Sequence, residues 1–136
     1  MKLLVDTNIL IDETLEDSER HEKSCRILDE ADSIIIPDIV LYEYLWIMLR
    51  RVGASPDFLG AKILEYRTDP RITFQSTSIE EVLTALKWFK EEEEKPEEIN
   101  DYIILAVCYR NNYTLTTFDK VLIGRAEKHG INYLTI

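Results

Sequence analysis

The sequence predicts an α/β domain in which a five-stranded parallel sheet carries helices on both faces. Three observations lead there. Short aliphatic runs alternate with longer segments of helical periodicity along the whole chain. No Asn-Gly or Asp-Gly pair joins two such runs, so nothing marks a hairpin. The 136 residues suffice for one hydrophobic core, and no repeat or linker divides them, so residues 1–136 read as a single domain.

The elements follow in order. Lys2–Asp6 is a short buried strand, three aliphatic residues ended by polar ones. From Asp17 to about Ala31, Cys25, Leu28 and Ala31 recur at helical spacing among charges. "SIIIP" (Ser33–Pro37) is a second strand, rich in β-branched residues. Asp38–Arg51 is a helix apolar nearly all round and stopped by Gly53. Ser55 as N-cap and Pro56 at the first helical position open the next helix. Arg71–Gln75 is a third strand. Ser78-Ile79-Glu80-Glu81 is a capping box, and the helix it opens runs out through "KEEEEKPEE", with Pro96 marking its end. Asn100–Asn112 is helical, Tyr113–Thr116 a strand, Lys120–His129 a helix ended by Gly130, and Ile131–Leu134 the last strand.

Charge narrows the function. Sixteen Lys and Arg against 26 Asp and Glu give a formal net charge of −10, which argues against a general nucleic-acid binder. The negative charge either gathers in a cation site or covers the surface. No apolar run is long enough to span a membrane, and the N-terminus lacks a signal-peptide core, so a cytoplasmic protein is expected. Cys25 and Cys108 read as buried thiols rather than a disulfide, and His21 and His129 as isolated surface residues.

Four acids stand in unexpected places. Asp6 and Asp119 each follow a strand, and in a parallel sheet both strand ends lie on one edge, where ligands bind. Glu43 is the only charge in "IVLYEYLWIML", and Asp101 begins the face continued by Ile104, Leu105 and Cys108. Each has a bland reading. Asp6, Asp101 and Asp119 can cap or start helices, and Glu43 can reach solvent or pair with Arg50. Together they can converge at one sheet edge. Two like charges 4 Å apart repel by about 4 kcal/mol at an effective dielectric near 20, so convergence calls for a cation. Oxygen-only donors suit Mg²⁺ or Mn²⁺ rather than zinc.

"LLVDTNILID", Glu43 in its helix, "INDYIILAV" and "TLTTFDK" resemble the PIN-domain nucleases, and among them the toxins of VapC-type toxin–antitoxin pairs. The resemblance spans the chain and keeps the acids in order. It implies a three-layer fold with strand order 3-2-1-4-5, and a ribonuclease that hydrolyses RNA phosphodiester bonds with metal-activated water. Asp6, Glu43, Asp101 and Asp119 are implied as catalytic, metal-binding acids, with Asn8 orienting Asp6 and Thr117 lining the site. It also implies Mg²⁺ (or Mn²⁺) as cofactor, a small basic antitoxin as partner, and a homodimer. One departure is that Leu122 takes a position where many members carry an aromatic residue, while Phe118 precedes the fourth acid.

Some features of the sequence stay open. "KEEEEKPEE" beside Asp101 reads as a solvated helix end, or as a face for a basic antitoxin segment. Arg50, Arg51, Lys62, Arg67, Arg71, Lys120 and Arg125 are candidate RNA contacts, and Tyr42, Tyr44 and Trp46 read as core or a dimer face. Two other functions compete. One is a catalytically silent metal-binding PIN module acting as an RNA- or protein-binding scaffold. The other is a phosphatase with Asp6 as phosphoryl acceptor, for which "DTN" lacks the second aspartate two residues on.

Overall fold

The computed structural model describes all of residues 1–136. Its sheet contains β1 (Lys2–Val5), β2 (Ser33–Pro37), β3 (Ile72–Gln75) and β4 (Thr114–Thr116), all parallel in the order β3-β2-β1-β4. Leu4, Val5, Ile34, Ile36 and Leu115 are fully buried, as strands covered on both faces must be. The helices are α1 (Thr7–Thr14), α2 (His21–Glu30), α3 (Asp38–Ile47), α4 (Pro56–Thr68), α5 (Ile79–Glu92), α6 (Ile99–Asn111) and α7 (Lys120–Lys128). None is long and apolar enough to cross a membrane.

The expected fifth strand, Ile131–Leu134, is reduced to a single bridge. Tyr133 pairs in parallel with Leu115, and the backbone bonds Leu115 N–H to Asn132 O and Leu134 N–H to Leu115 O measure 2.8 Å each. β4 is only three residues long, so it offers its outer edge at one residue. The tail thus takes the fifth place of the 3-2-1-4-5 order without forming a strand.

Three other boundaries differ from expectation. α1 begins at once after β1, where the sequence predicts no element between Asp6 and Asp17, because Asp6 leaves the strand and caps the helix. α2 starts at His21 rather than Asp17, since Ser18 closes a turn by donating to Asp12 Oδ1 at 2.7 Å. α3 loosens into a π-helical turn over Met48–Val52 before Gly53 ends it at φ +75°, a left-handed conformation that glycine adopts without strain. Tyr44 is core as expected, but Tyr42 and Trp46 are 66% and 57% exposed. Both thiols are free, but only Cys108 is buried as expected; Cys25 is partly exposed on the amphipathic α2.

The caps are as the sequence implies. Ser55 Oγ accepts from Phe58 N–H at 3.1 Å. Ser78 and Glu81 form a reciprocal capping box, and Glu81 also accepts from Asn111 Nδ2 at 2.7 Å, tying α5 to α6. Truncating the central strand should cost most. Leu4→Ala is expected to lower the unfolding free energy by about 2–5 kcal/mol and Ser78→Ala by about 1 kcal/mol, read by urea denaturation.

Candidate active site

The pairing of β1 with β4 brings Asp6 and Thr117 together. Asp6 N–H donates to Thr116 O at 2.9 Å, which extends the ladder one residue past β1. Thr117 Oγ1 then donates to Asp6 Oδ2 at 2.7 Å, across 111 residues of chain. The opposite oxygen, Oδ1, accepts from Thr7 N–H at 2.8 Å and so caps α1. Capping and site placement are therefore not alternatives for this residue: one carboxylate does both.

Asn8 completes the link. Its Nδ2 donates to Asp6 Oδ2 at 3.3 Å and to Thr117 Oγ1 at 3.2 Å, while its Oδ1 accepts from Phe118 N–H at 3.3 Å. Thr117 Oγ1 in turn accepts from Asp119 N–H at 3.0 Å. Asp119 caps α7, its Oδ1 accepting from Val121 N–H and Leu122 N–H. Leu122 is fully buried and belongs to the hydrophobic core.

Glu43 and Asp101 approach from the flanking helices α3 and α6. Neither bonds to Asp6, but the charge of Glu43 reaches Asp6 and that of Asp6 reaches Asp101. Asp6 is 7% exposed, and burial raises its carboxyl above the ordinary range. Hydrogen bonds from Thr117 and Thr7 oppose that rise, and the charges of Glu43 and Asp119 add to it. Asp101 is pushed up to about 7, first by burial, then by Asp6, Glu98 and Asp119. Asp6 is thus coupled to each of the other three acids, and Asp119 to Asp101 as well. Side chains of His, Cys, Asp and Glu do not stand three together at ligating distance in this conformation. The donors are carboxylate, hydroxyl and amide oxygens with no imidazole or thiol, so in kind they fit a hard divalent cation. Such a charge would relieve the crowding felt by Asp6 and Asp101.

Arg125 already relieves part of it. Its Nη1 donates to Asp101 Oδ2 at 3.2 Å and to Glu98 Oε2 at 3.1 Å, its Nη2 lies 3.5 Å from Glu94, and its guanidinium sits over the Tyr102 ring. The acidic run is therefore solvated only in part: Glu91, Glu93 and Glu97 are exposed, while Glu92, Glu94 and Glu98 are paired. Glu94 and Glu98 fold onto Arg125 beside Asp101, and Glu92 binds His129 Nε2 at 2.8 Å and Tyr102 OH at 3.0 Å. His129 is no isolated surface residue either, since it stacks on Trp88.

Three of the cations read as candidate RNA contacts have structural roles. Lys62 pairs with Glu13 at 2.9 Å. Arg71 binds Asp69 and donates to the carbonyls of Leu28, Asp29 and Ala31 at the end of α2. Arg125 is the third. Sequence reasoning missed Arg125 as a partner of Asp101, and the only available hint was its place six residues after Asp119.

The raised pKa values fix the sign of a pH effect. Asp101 takes up a proton more readily in the folded chain than in the unfolded one. Its contribution to stability is complete below about pH 3.8 and is lost as pH rises through about 7. Without added cations, Asp101→Asn should melt at least about 3 °C higher than the parent at pH 8, the shift that roughly 1 kcal/mol produces at this size. The two should converge near pH 4. Thermal melts followed by circular dichroism at both pH values check this.

Residues 3–128 match the family model described as PIN domain. Among curated proteins, sequence comparison finds no match. Among solved structures, the chain is similar to Mycobacterium tuberculosis VapC20, described as a sarcin-ricin loop cleaving toxin. The TM-score is 0.76 at 18% identity, over 90% of this chain and 94% of that one. It is also similar to a toxin–antitoxin complex from Klebsiella pneumoniae, with TM-score 0.68 at 19% identity over 98% and 96%. A third is VapBC2 from Rickettsia felis, bound to a DNA fragment from its promoter, with TM-score 0.67 at 16% identity over 98% of each chain. With a family model covering nearly its whole length and a parallel sheet in the matching order, the chain belongs to the PIN-domain family.

Proposed function

We propose that this chain is a metal-dependent endoribonuclease, the toxin of a VapBC-type pair, with Asp6, Glu43, Asp101 and Asp119 as its catalytic and metal-holding acids. The observation that supports the reading is a buried Asp6 at the carboxyl edge of the sheet, its carboxyl raised first by burial and then by Glu43 and Asp119, with its own charge raising Asp101. An acidic centre of this kind excludes an RNA phosphate unless a cation lies between them.

The chain's own residues have distinct parts. Thr117 Oγ1 and Asn8 Nδ2 hold Asp6 Oδ2 in one orientation, and Asp119 is held by its cap on α7. Mg²⁺ or Mn²⁺ bound by these acids would supply Lewis acidity and lower the pKa of a water. The net reaction adds water to a phosphodiester: a P–O bond to the 3′-oxygen breaks, that oxygen takes the water's proton, and a 5′-phosphate remains.

Support for a protein partner comes from the surface. Tyr42, Trp46 and Leu49 on α3 and its continuation, with Leu64 on α4, leave large apolar side chains in solvent. The solved relatives include toxin–antitoxin complexes, and a small basic antitoxin suits a chain of net charge −10. A homodimer through the same helices is part of this reading.

One observation favours a second reading, a silent metal-binding or scaffolding module: Arg125 already occupies Asp101. Cleavage separates the two. Purified protein with Mg²⁺ or Mn²⁺ should cut single-stranded or structured RNA, and chelation should stop it. Asp6→Asn and Asp101→Asn should each reduce the rate by at least about 10²-fold, about 2.7 kcal/mol of barrier, with circular dichroism unchanged. Undiminished cleavage by both variants would remove the proposal, and inert wild-type protein that still binds the metal would favour the scaffold.

A further inference from the structure

A groove of about 280 Å³ opens beside Thr117. Its polar lining comes from Arg20 at the start of α2, Lys23 on α2, Thr117, and Lys120 at the first position of α7, with Phe118 and Tyr133 among its aromatic walls. No Asp or Glu lines it, although the chain carries ten more acids than bases. Glu19 and Glu22 are neighbours in sequence, yet none of the three cations has a carboxylate within ion-pair distance; the paired cations are Lys62, Arg71, Arg125, Lys128 and His129. Arg20 is oriented by Phe118, its guanidinium lying 4.7 Å from the ring centroid.

The groove ends at the acids. Thr117 belongs to both, since its Oγ1 donates to Asp6, and Lys120 directly follows Asp119. The opposite flank, around Glu43, has Arg51 as its only cation. We propose that the groove is the path of the RNA strand leading to the scissile phosphate, with Arg20, Lys23 and Lys120 each contacting one backbone phosphate. This rests on the ribonuclease reading above and adds the direction and the contacts. A polyanion fits where three cations face an acid-free wall, and a basic antitoxin segment does not. Phosphate contacts of this kind give affinity without sequence choice.

The test is a salt titration of binding, by fluorescence anisotropy, with a labelled single-stranded oligoribonucleotide of mixed sequence. Asp6→Asn serves as the non-cleaving parent, full length throughout. Each phosphate contact on a single strand adds about 0.7 to the log–log salt slope, so three contacts weaken binding about 20-fold between 50 and 200 mM salt. Adding Arg20→Ala, Lys23→Ala and Lys120→Ala should abolish that component. Lys23→Gln with Lys120→Gln leaves Arg20 on Phe118 and should remove about 7-fold of it. Lys2→Ala, Lys87→Ala and Arg110→Ala remove the same charge elsewhere and should leave the slope intact.

Equal slopes for the groove variants and the parent, or an equal loss in the distant control, would overturn the proposal. Kept RNA affinity together with a lost antitoxin complex would overturn it too, and would assign the groove to protein. Wild-type cleavage assayed alongside separates the two levels. Cleavage with an unchanged slope sinks the groove alone, whereas neither binding nor cleavage sinks the ribonuclease reading with it.

Discussion

A single hydrogen bond, from Thr117 Oγ1 to Asp6 Oδ2, joins the fold to the candidate chemistry. It exists because β1 and β4 are parallel neighbours in the sheet, which puts residues far apart in sequence at one strand edge. It also makes a buried carboxylate tolerable. Asp6 accepts from Thr117, Asn8 and its own helix N-terminus, and these bonds offset part of the cost of leaving water. They do not offset all of it: burial still holds its pKa above the ordinary value, and the charges of Glu43 and Asp119 add to the rise.

The remainder of the site is a matter of charge balance. Arg125 draws Asp101, Glu98 and Glu94 around one guanidinium, which turns an acidic segment beside the site into part of a folded cluster. That arrangement removes Arg125 from the cations free to meet RNA, and it directs attention to the other side of Asp119, where Arg20, Lys23 and Lys120 line an acid-free wall. Negative net charge and polyanion binding are compatible when the carboxylates are either paired internally or turned away from the approach.

The sheet was legible because buried parallel strands write themselves as aliphatic runs, and the caps at Ser55 and Ser78 because they rest on local chemistry. α1 was not, because "TNILID" is too short and too apolar for helical periodicity to separate from a strand's alternation. The fifth strand was over-read since β-branched and aromatic residues mark a tendency that a three-residue β4 cannot accept. In the site, the anomalous positions of Asp6 and Glu43 could be read from their apolar surroundings. The partners of Asp101 could not, because an arginine on another helix leaves no local pattern. Tyr42 and Trp46 show the same limit: periodicity says that a helix is apolar all round, not which side meets a partner.

Cation binding itself tests the central claim most directly. Titration calorimetry with Mn²⁺ should give saturable binding to the parent chain, and the melting temperature should rise with ligand concentration, by the equivalent of about 2.7 kcal/mol at a hundredfold excess over Kd. Asp6→Asn and Glu43→Gln should each weaken that binding strongly, since they come from different elements of one centre. No saturable binding, or binding unaffected by either substitution, would contradict the account.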